Sequence, residues 1–234
     1  MTLRYPHVNV TVYNTVKNIF GFLISLLSKG IEIEGLENFP LAGGVLIISN
    51  HLSFFDTVIA YRTLPRVMYA LTGEKYKNSL WRFITDTGGA IYVNRGEVDR
   101  EALRQAFNVI EDGLPLVVAP EGTRSKTGGL LPGKPGASYI AARASVPIVP
   151  MVFWNTDKVI PGWRKFQRTR IHLKFGKAFR LPEGRARSED LDRYTEDMML
   201  RLAAMLPESY RGVYRDHPRL GEFIKLLGEE NLNG

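Results

Sequence analysis

Apolar and alternating runs, each bounded by turn residues, recur along the chain with helical patterns between them. The runs are "IEIEG" (31–35), "VLIIS" (45–49), "VMYAL" (67–71), "AIYV" (90–93), "LPLVVA" (114–119), "PIVPMVFW" (147–154) and "RIHLKFG" (170–176). Their lengths fit strands, and the continuously apolar ones fit strands buried on both faces. Three- and four-residue spacing of apolar positions predicts helices over Phe54 to Thr63, Lys75 to Thr85, Asp99 to Asp112, Gly136 to Ala144 and Ser188 to Leu206. A short helix is expected near the carboxyl end. Strands alternating with helices imply an α/β fold: a single domain with a mostly parallel or mixed sheet flanked by helices. The polar stretch "RLPEGRARS" (180–188) is a loop, too short for a domain linker.

Residues 1–30 follow a different pattern. Taken as a helix from Val10 to Lys29, they put Thr11, Asn14, Lys17, Asn18 and Ser25 on one side. Tyr13, Val16, Phe20, Leu23, Ile24 and Leu27 fall opposite, and Phe22 strays. Arg4, Lys17 and Lys29 are the segment's charges, and the first acid is Glu32. A wide apolar face beside a weakly basic polar one predicts an amphipathic helix lying on a membrane surface, with residues 31–234 forming the domain proper. A helix packed on its own domain is the alternative. The uninterrupted apolar stretch from Ile19 to Leu27 is too short to span the ~20 residues of a bilayer's hydrocarbon. No A-x-A-like cleavage site follows Leu27, so a signal peptide is not expected.

At 234 residues, with 44% hydrophobic and 24% charged, the chain can bury a full core without staples. It has no cysteine, which excludes disulfides, thiolate metal sites and a cysteine nucleophile. Its net charge of +7 points to an anionic partner: nucleic acid, acidic membrane or phosphorylated small molecule. No metal-ligand cluster or nucleotide-binding glycine motif is present, and His7, His172 and His217 are isolated.

Chemistry concentrates where strands end, as expected for a parallel sheet. "SNHLSFFD" follows "VLIIS", "NRGE" follows "AIYV", and "PEGTRS" follows "LPLVVA", so His51, Arg95, Glu121 and Arg124 all lie beyond strand ends. Ser53 and Asp56 have capping-box spacing, which predicts a helix from Phe54 and gives Asp56 a purely structural reading. On the other reading Asp56 bonds one imidazole nitrogen of His51 and leaves the second as a base. "PEGTRS" offers a carboxylate able to bond a hydroxyl, a glycine permitting close backbone approach, and a guanidinium for phosphate. "GWRKFQRTR" (162–170) interleaves aromatics with cations. It is either a solvated basic loop or a contact for anionic headgroups or a cofactor's phosphates.

"NHLSFFD" resembles the His, four residues, Asp signature of the glycerolipid acyltransferase family, which includes the 1-acyl-sn-glycerol-3-phosphate acyltransferases. "GGAIYVNR" (88–95), "PEGTRS" (120–125) with "LLPGKPGA" (130–137), and "VPIVP" (146–150) are similar to its further motifs, in order. Ala119 departs from the phenylalanine common before the proline, a difference of packing more than of chemistry.

The resemblance implies acyl transfer from acyl-CoA or acyl carrier protein to the sn-2 hydroxyl of a 1-acyl-sn-glycerol-3-phosphate, giving phosphatidic acid in phospholipid biosynthesis. It implies His51 and Asp56 as the catalytic pair, with Arg95, Glu121, Gly122, Thr123, Arg124 and Lys134 binding the acceptor. No acyl-enzyme, metal or cofactor is expected, the acyl donor being a co-substrate. The expected partners are the anionic membrane surface, lysophosphatidic acid and the donor, with no nucleic acid, at the cytoplasmic face. Rival readings are an acyltransferase for glycerol-3-phosphate or another lysolipid, and a non-catalytic lipid- or nucleic-acid-binding module.

Overall fold

A computed structural model describes residues 6–77, 82–94, 99–182 and 186–232. Seven strands form one sheet: β1 (Ser28–Glu34), β2 (Val45–Ser49), β3 (Tyr69–Gly73), β4 (Ala90–Val93), β5 (Pro115–Val118), β6 (Ile148–Trp154) and β7 (Thr169–Phe175). Their spatial order is β1-β7-β6-β2-β5-β3-β4. All neighbours pair in parallel except β6 and β7, where the direction reverses. The sheet is therefore mixed. β2 lies between β5 and β6 and is buried at every residue, which is what its continuous apolar sequence requires.

The edge strand β1 is read differently. Its register pairs Glu32 with His172 and Glu34 with Lys174 of β7, and the Lys174–Glu34 ion pair closes at 2.9 Å. The alternation of "IEIE" against "IHLK" thus aligns Glu32 and Glu34 with His172 and Lys174 on one face while Ile31 pairs with Ile171.

The helices are α1 (Val10–Leu27), α2 (Phe54–Thr63), α3 (Arg82–Thr87), α4 (Arg100–Glu111), α5 (Gly136–Ala144), α6 (Val159–Arg164), α7 (Ser188–Met205) and α8 (Leu220–Leu232). α4 and α7 both pack on α5, and α1 packs on α2 and also meets α3 and α6. Of the helix expected from Lys75 to Thr85, the described residues show a 3-10 turn, Glu74–Tyr76, at one end and α3 at the other, and residues 78–81 lie outside the described residues. Tyr76, in that turn, lines the cavity described below. α6 was not expected, since "VIPGWR" is short and carries both proline and glycine.

The apolar face of α1 is divided between the core and solvent. Tyr13, Val16 and Ile24 are buried in the common core, with Tyr13 stacked on Tyr61 of α2 at 4.0 Å. Ile19, Phe22, Leu23 and Leu26 remain exposed. Lys17 turns away from the exposed stripe and donates to the Leu64 carbonyl at the end of α2, 3.1 Å away.

Because β7 runs against β6, its first residues lie beside the last residues of β6. The reversal thereby brings α6, the start of β1 and the end of α1 to the same end of the sheet as the loops leaving β2 and β5.

Candidate active site

The site begins with how β2 ends. Asn50, buried just past Ser49, uses its side-chain amide to pair with β6: Nδ2 donates to the Phe153 carbonyl and Oδ1 accepts from the Phe153 N–H, both at 2.8 Å. Its side chain substitutes for another rung of ladder and fixes the direction in which residue 51 departs. Ser53 then caps α2, accepting from the Phe55 N–H at 3.1 Å.

Asp56 is 3% exposed and receives four donors. Oδ2 accepts from the amides of Leu52 (2.6 Å) and Ser53 (2.7 Å) and from His51 Nδ1 (2.9 Å), while Oδ1 accepts from the Thr156 hydroxyl at 2.5 Å. The capping and orienting readings are thus both realised, on the same carboxylate oxygen. Asp56 accepts in each of its other bonds, so Nδ1 is the donor in this one, and Nε2 is the ring nitrogen left to face a substrate. Thr156 is 1% exposed and sits just after β6. No motif or periodicity singles it out in the sequence.

The loop after β5 braces His51 through its peptide groups. The His51 N–H donates to Glu121 Oε1 (2.8 Å), and the Ser125 N–H donates to the His51 carbonyl (2.8 Å). The other oxygen of Glu121 accepts from the Leu131 N–H at 2.9 Å. Glu121 is 2% exposed and does not line the cavity, so it is not placed to bond an acceptor hydroxyl as expected. Both of its oxygens are already engaged by backbone amides. Burial pushes its carboxyl up from an ordinary 4.5 to about 7, against the pull of those two amides.

A cavity of about 390 Å³ opens beside this dyad. His51, Asp56, Gly122, Thr123, Arg124 and Lys134 line it, and the remaining wall is mainly apolar: Val16 and Phe20 of α1, Val58 of α2, Met68, Leu71, Val93, Met151 and Phe153. Gly122 adopts φ +66°, and a Cβ there would stand 3.2 Å from the Lys134 side chain. Lys134 therefore lies directly over the "EGTR" turn. Arg124 is exposed and donates to the Tyr76 hydroxyl at 3.0 Å. Arg95 falls outside the described residues. The arrangement joins an oriented imidazole, two cations and an apolar chamber, the combination needed to activate a hydroxyl on a phosphorylated molecule with an aliphatic chain nearby.

A family model described as Acyltransferase matches residues 30–154, which contain the dyad, the "EGTR" turn and Lys134. A 1-acyl-sn-glycerol-3-phosphate acyltransferase of Cocos nucifera is 32% identical over 174 residues, covering 70% of this chain and 53% of that protein. The human beta form is 34% identical over 137 residues, covering 54% of this chain and 49% of its own length. The chain spans about half the length of these curated relatives. The crystal structure of the 1-acyl-sn-glycerophosphate acyltransferase of Thermotoga maritima is similar with a TM-score of 0.64 at 25% identity, covering 80% of this chain and 76% of that one. With the matched region taking in more than half of the sequence, and in it His51, Asp56, Glu121 and Lys134, the chain belongs to the acyltransferase family.

Proposed function

We propose that this protein transfers an acyl group from a thioester, acyl-CoA or acyl carrier protein, to the sn-2 hydroxyl of 1-acyl-sn-glycerol-3-phosphate at a membrane surface, forming phosphatidic acid for phospholipid synthesis. The observation that carries this reading is the His51–Asp56 pair opening onto an apolar cavity flanked by Arg124 and Lys134. Its relatives' names support the acceptor.

In the proposed reaction Nε2 of His51 takes the hydroxyl proton as the acceptor oxygen attacks the thioester carbonyl. The tetrahedral species collapses with cleavage of the C–S bond. The imidazolium returns the proton to the leaving thiolate, so one ester and one free thiol result. Asp56 holds the ring and stabilises its charged form. Ser53 takes no part, its hydroxyl being committed to the helix cap. Arg124 and Lys134, with Arg95, hold the acceptor's phosphate, Gly122 and Thr123 shape the turn beside it, and Glu121 positions His51 from behind. The apolar wall receives an acyl chain. The exposed stripe of α1 rests in the interface. Taken whole, and contrary to what its shorter apolar run implies, α1 is by length and composition long and apolar enough to cross a bilayer, but its buried stripe is held by the domain.

The test is a panel of acceptors and donors given to purified protein in mixed micelles, following thiol release and the mass of the lipid formed. Lysophosphatidic acid should be preferred over glycerol-3-phosphate and over lysolipids without a terminal phosphate. Arg124→Ala should raise KM for lysophosphatidic acid about tenfold or more while leaving KM for the donor near normal, and Arg124→Lys should rescue only in part. Turnover surviving in His51→Ala would remove the basis of the reading.

A further inference from the structure

The turn that closes α6 is built against ordinary backbone preference. The Gln167 N–H reaches the Gly162 carbonyl and the Phe166 N–H reaches the Trp163 carbonyl, both at 2.9 Å, which is the bonding pattern of a Schellman helix end. Such an end wants glycine at its left-handed position. Here that position is Phe166, at φ +56°. An aromatic residue there carries a steric cost that glycine would not, yet Phe166 is 100% exposed and packs against nothing that could offset it. Trp163, one turn earlier, is 52% exposed, and Ile160 is exposed beside it.

The turn is firmly held in spite of this display. Val159 is fully buried beneath it, and a Cβ on Gly162 would stand 2.6 Å from the Gln167 carbonyl oxygen. Cations surround the two aromatics. Arg164, Lys165, Arg168 and Arg170 are all exposed, no ion pair among the described residues engages them, and the sequence has no acid between Asp157 and Glu183. The turn also has a neighbour of matching character. Thr169 pairs with Ser28, the residue that follows α1, so the turn sits at the end of α1 whose Leu23 and Leu26 are exposed.

We propose that the α6 turn is a second membrane-docking element that inserts Trp163 and Phe166 into the interface and selects anionic lipid through Arg164, Lys165 and Arg168. Aromatic side chains with a rim of unpaired cations match the boundary between acyl chains and anionic headgroups. Seated beside α1, the turn gives the protein two contacts at the active-site end of the sheet, one apolar and indifferent to lipid charge, the other charge-selective. The inference rests on the proposed interfacial acyltransferase.

The test uses sedimentation with vesicles of phosphatidylcholine alone and with a quarter of phosphatidylglycerol, together with turnover on a short-chain acceptor below its micellar concentration. Phe166→Gly is the discriminating variant, because it supplies the residue the turn prefers. Its thermal midpoint should be unchanged or raised, while its affinity for the anionic vesicles falls about tenfold. Replacing Arg164, Lys165 and Arg168 together by glutamine should abolish the preference for anionic vesicles and flatten the salt dependence, with binding to neutral vesicles and short-chain turnover kept. Wild-type vesicle binding by Phe166→Gly, or an intact anionic preference in the glutamine variant, overturns the proposal. So does protection of the turn by adenosine 3′,5′-bisphosphate, lost in the glutamine variant, which would assign the cations to the donor's nucleotide. Short-chain turnover separates this outcome from failure of the acyltransferase reading, since docking can fail while the chemistry persists, and the reverse.

Discussion

Two regions at the same end of the sheet are finished in opposite ways. Around His51 the buried polar groups behind the ring are matched: four donors meet Asp56, two amides meet Glu121, and Asn50 closes on both polar atoms of the Phe153 backbone. Around Phe166 the cations have no partner among the described residues, and the aromatics stand in solvent. Buried polar groups are costly unless satisfied, so the first region has one arrangement available to it. That suits a base whose nitrogen must be aimed. The second region gains its satisfaction only when something external arrives, which suits a surface meant for a bilayer.

The sharpest way to break this contrast is to disturb Asp56, where most of the donors converge. Asp56→Asn should lower kcat by ~10²–10⁴-fold, the span ordinarily contributed by general base catalysis. The capping role of the same residue must be separated from this. Ser53→Ala, which removes only the hydroxyl that accepts from Phe55, should cost about 1 kcal/mol of stability and leave kcat near normal. Loss of kcat in Ser53→Ala, with the fold retained by circular dichroism, would give Ser53 a part in the chemistry and count against a purely capping role.

Glu121 gives the next largest effect, read in stability. The unfolded chain releases this proton near 4.5 and the folded protein near 7. Between those values the folded state binds more protons than the unfolded one. Stability contributed by Glu121 therefore falls as pH rises through that window and levels off above it. At 1.36 kcal/mol per pKa unit the difference amounts to roughly 3 kcal/mol. Urea unfolding of the wild type and Glu121→Gln at pH 5 and pH 8 should show the wild type losing ground as pH rises; parallel behaviour would mean the carboxyl ionises normally.

Thr156→Val is the smallest change, and it isolates the positioning of Asp56. Removing one donor to Oδ1 should lower kcat about tenfold, ~1.4 kcal/mol, with KM for both substrates little changed. Thr156→Ser, which keeps the hydroxyl, should restore most of the loss. A deficit that serine does not repair would point to packing instead.

Much of this could be read from the chain. The strand pattern and the helix start at Phe54 follow from alternation and capping chemistry, which are local; spacing offered the pairing of His51 with Asp56 as one of two readings, and the resemblance favoured it. What escaped was set by distant contacts. Thr156 is 100 residues from its partner Asp56 and sits in no pattern. The alternation in "RIHLKF" marks a strand and its faces but not its direction, so the antiparallel step between β6 and β7 was hidden. Glu121 was placed in the site by its motif, yet the motif could not say which way its carboxylate turns. It turns inward because the amides of His51 and Leu131 converge there. Lys134 was tied to the acceptor by the resemblance alone, since nothing local to "PGKPG" says that the fold lays its side chain over Gly122.

The inner stripe of α1 bears on how this protein can be prepared. Val16 and Phe20 form part of the cavity wall, and Phe20 meets Phe54 edge-on at 6.1 Å. Trimming the chain back to Leu27, an obvious route to a sample that needs no detergent, would remove that wall and expose Tyr61 and Phe54 to water. Such a shortened protein would lose activity even on water-soluble acceptors, and the loss would be misread as dependence on lipid. Solubility is better sought on the outer stripe, by polar replacements at Phe22 and Leu26, which leave the lining of the chamber in place.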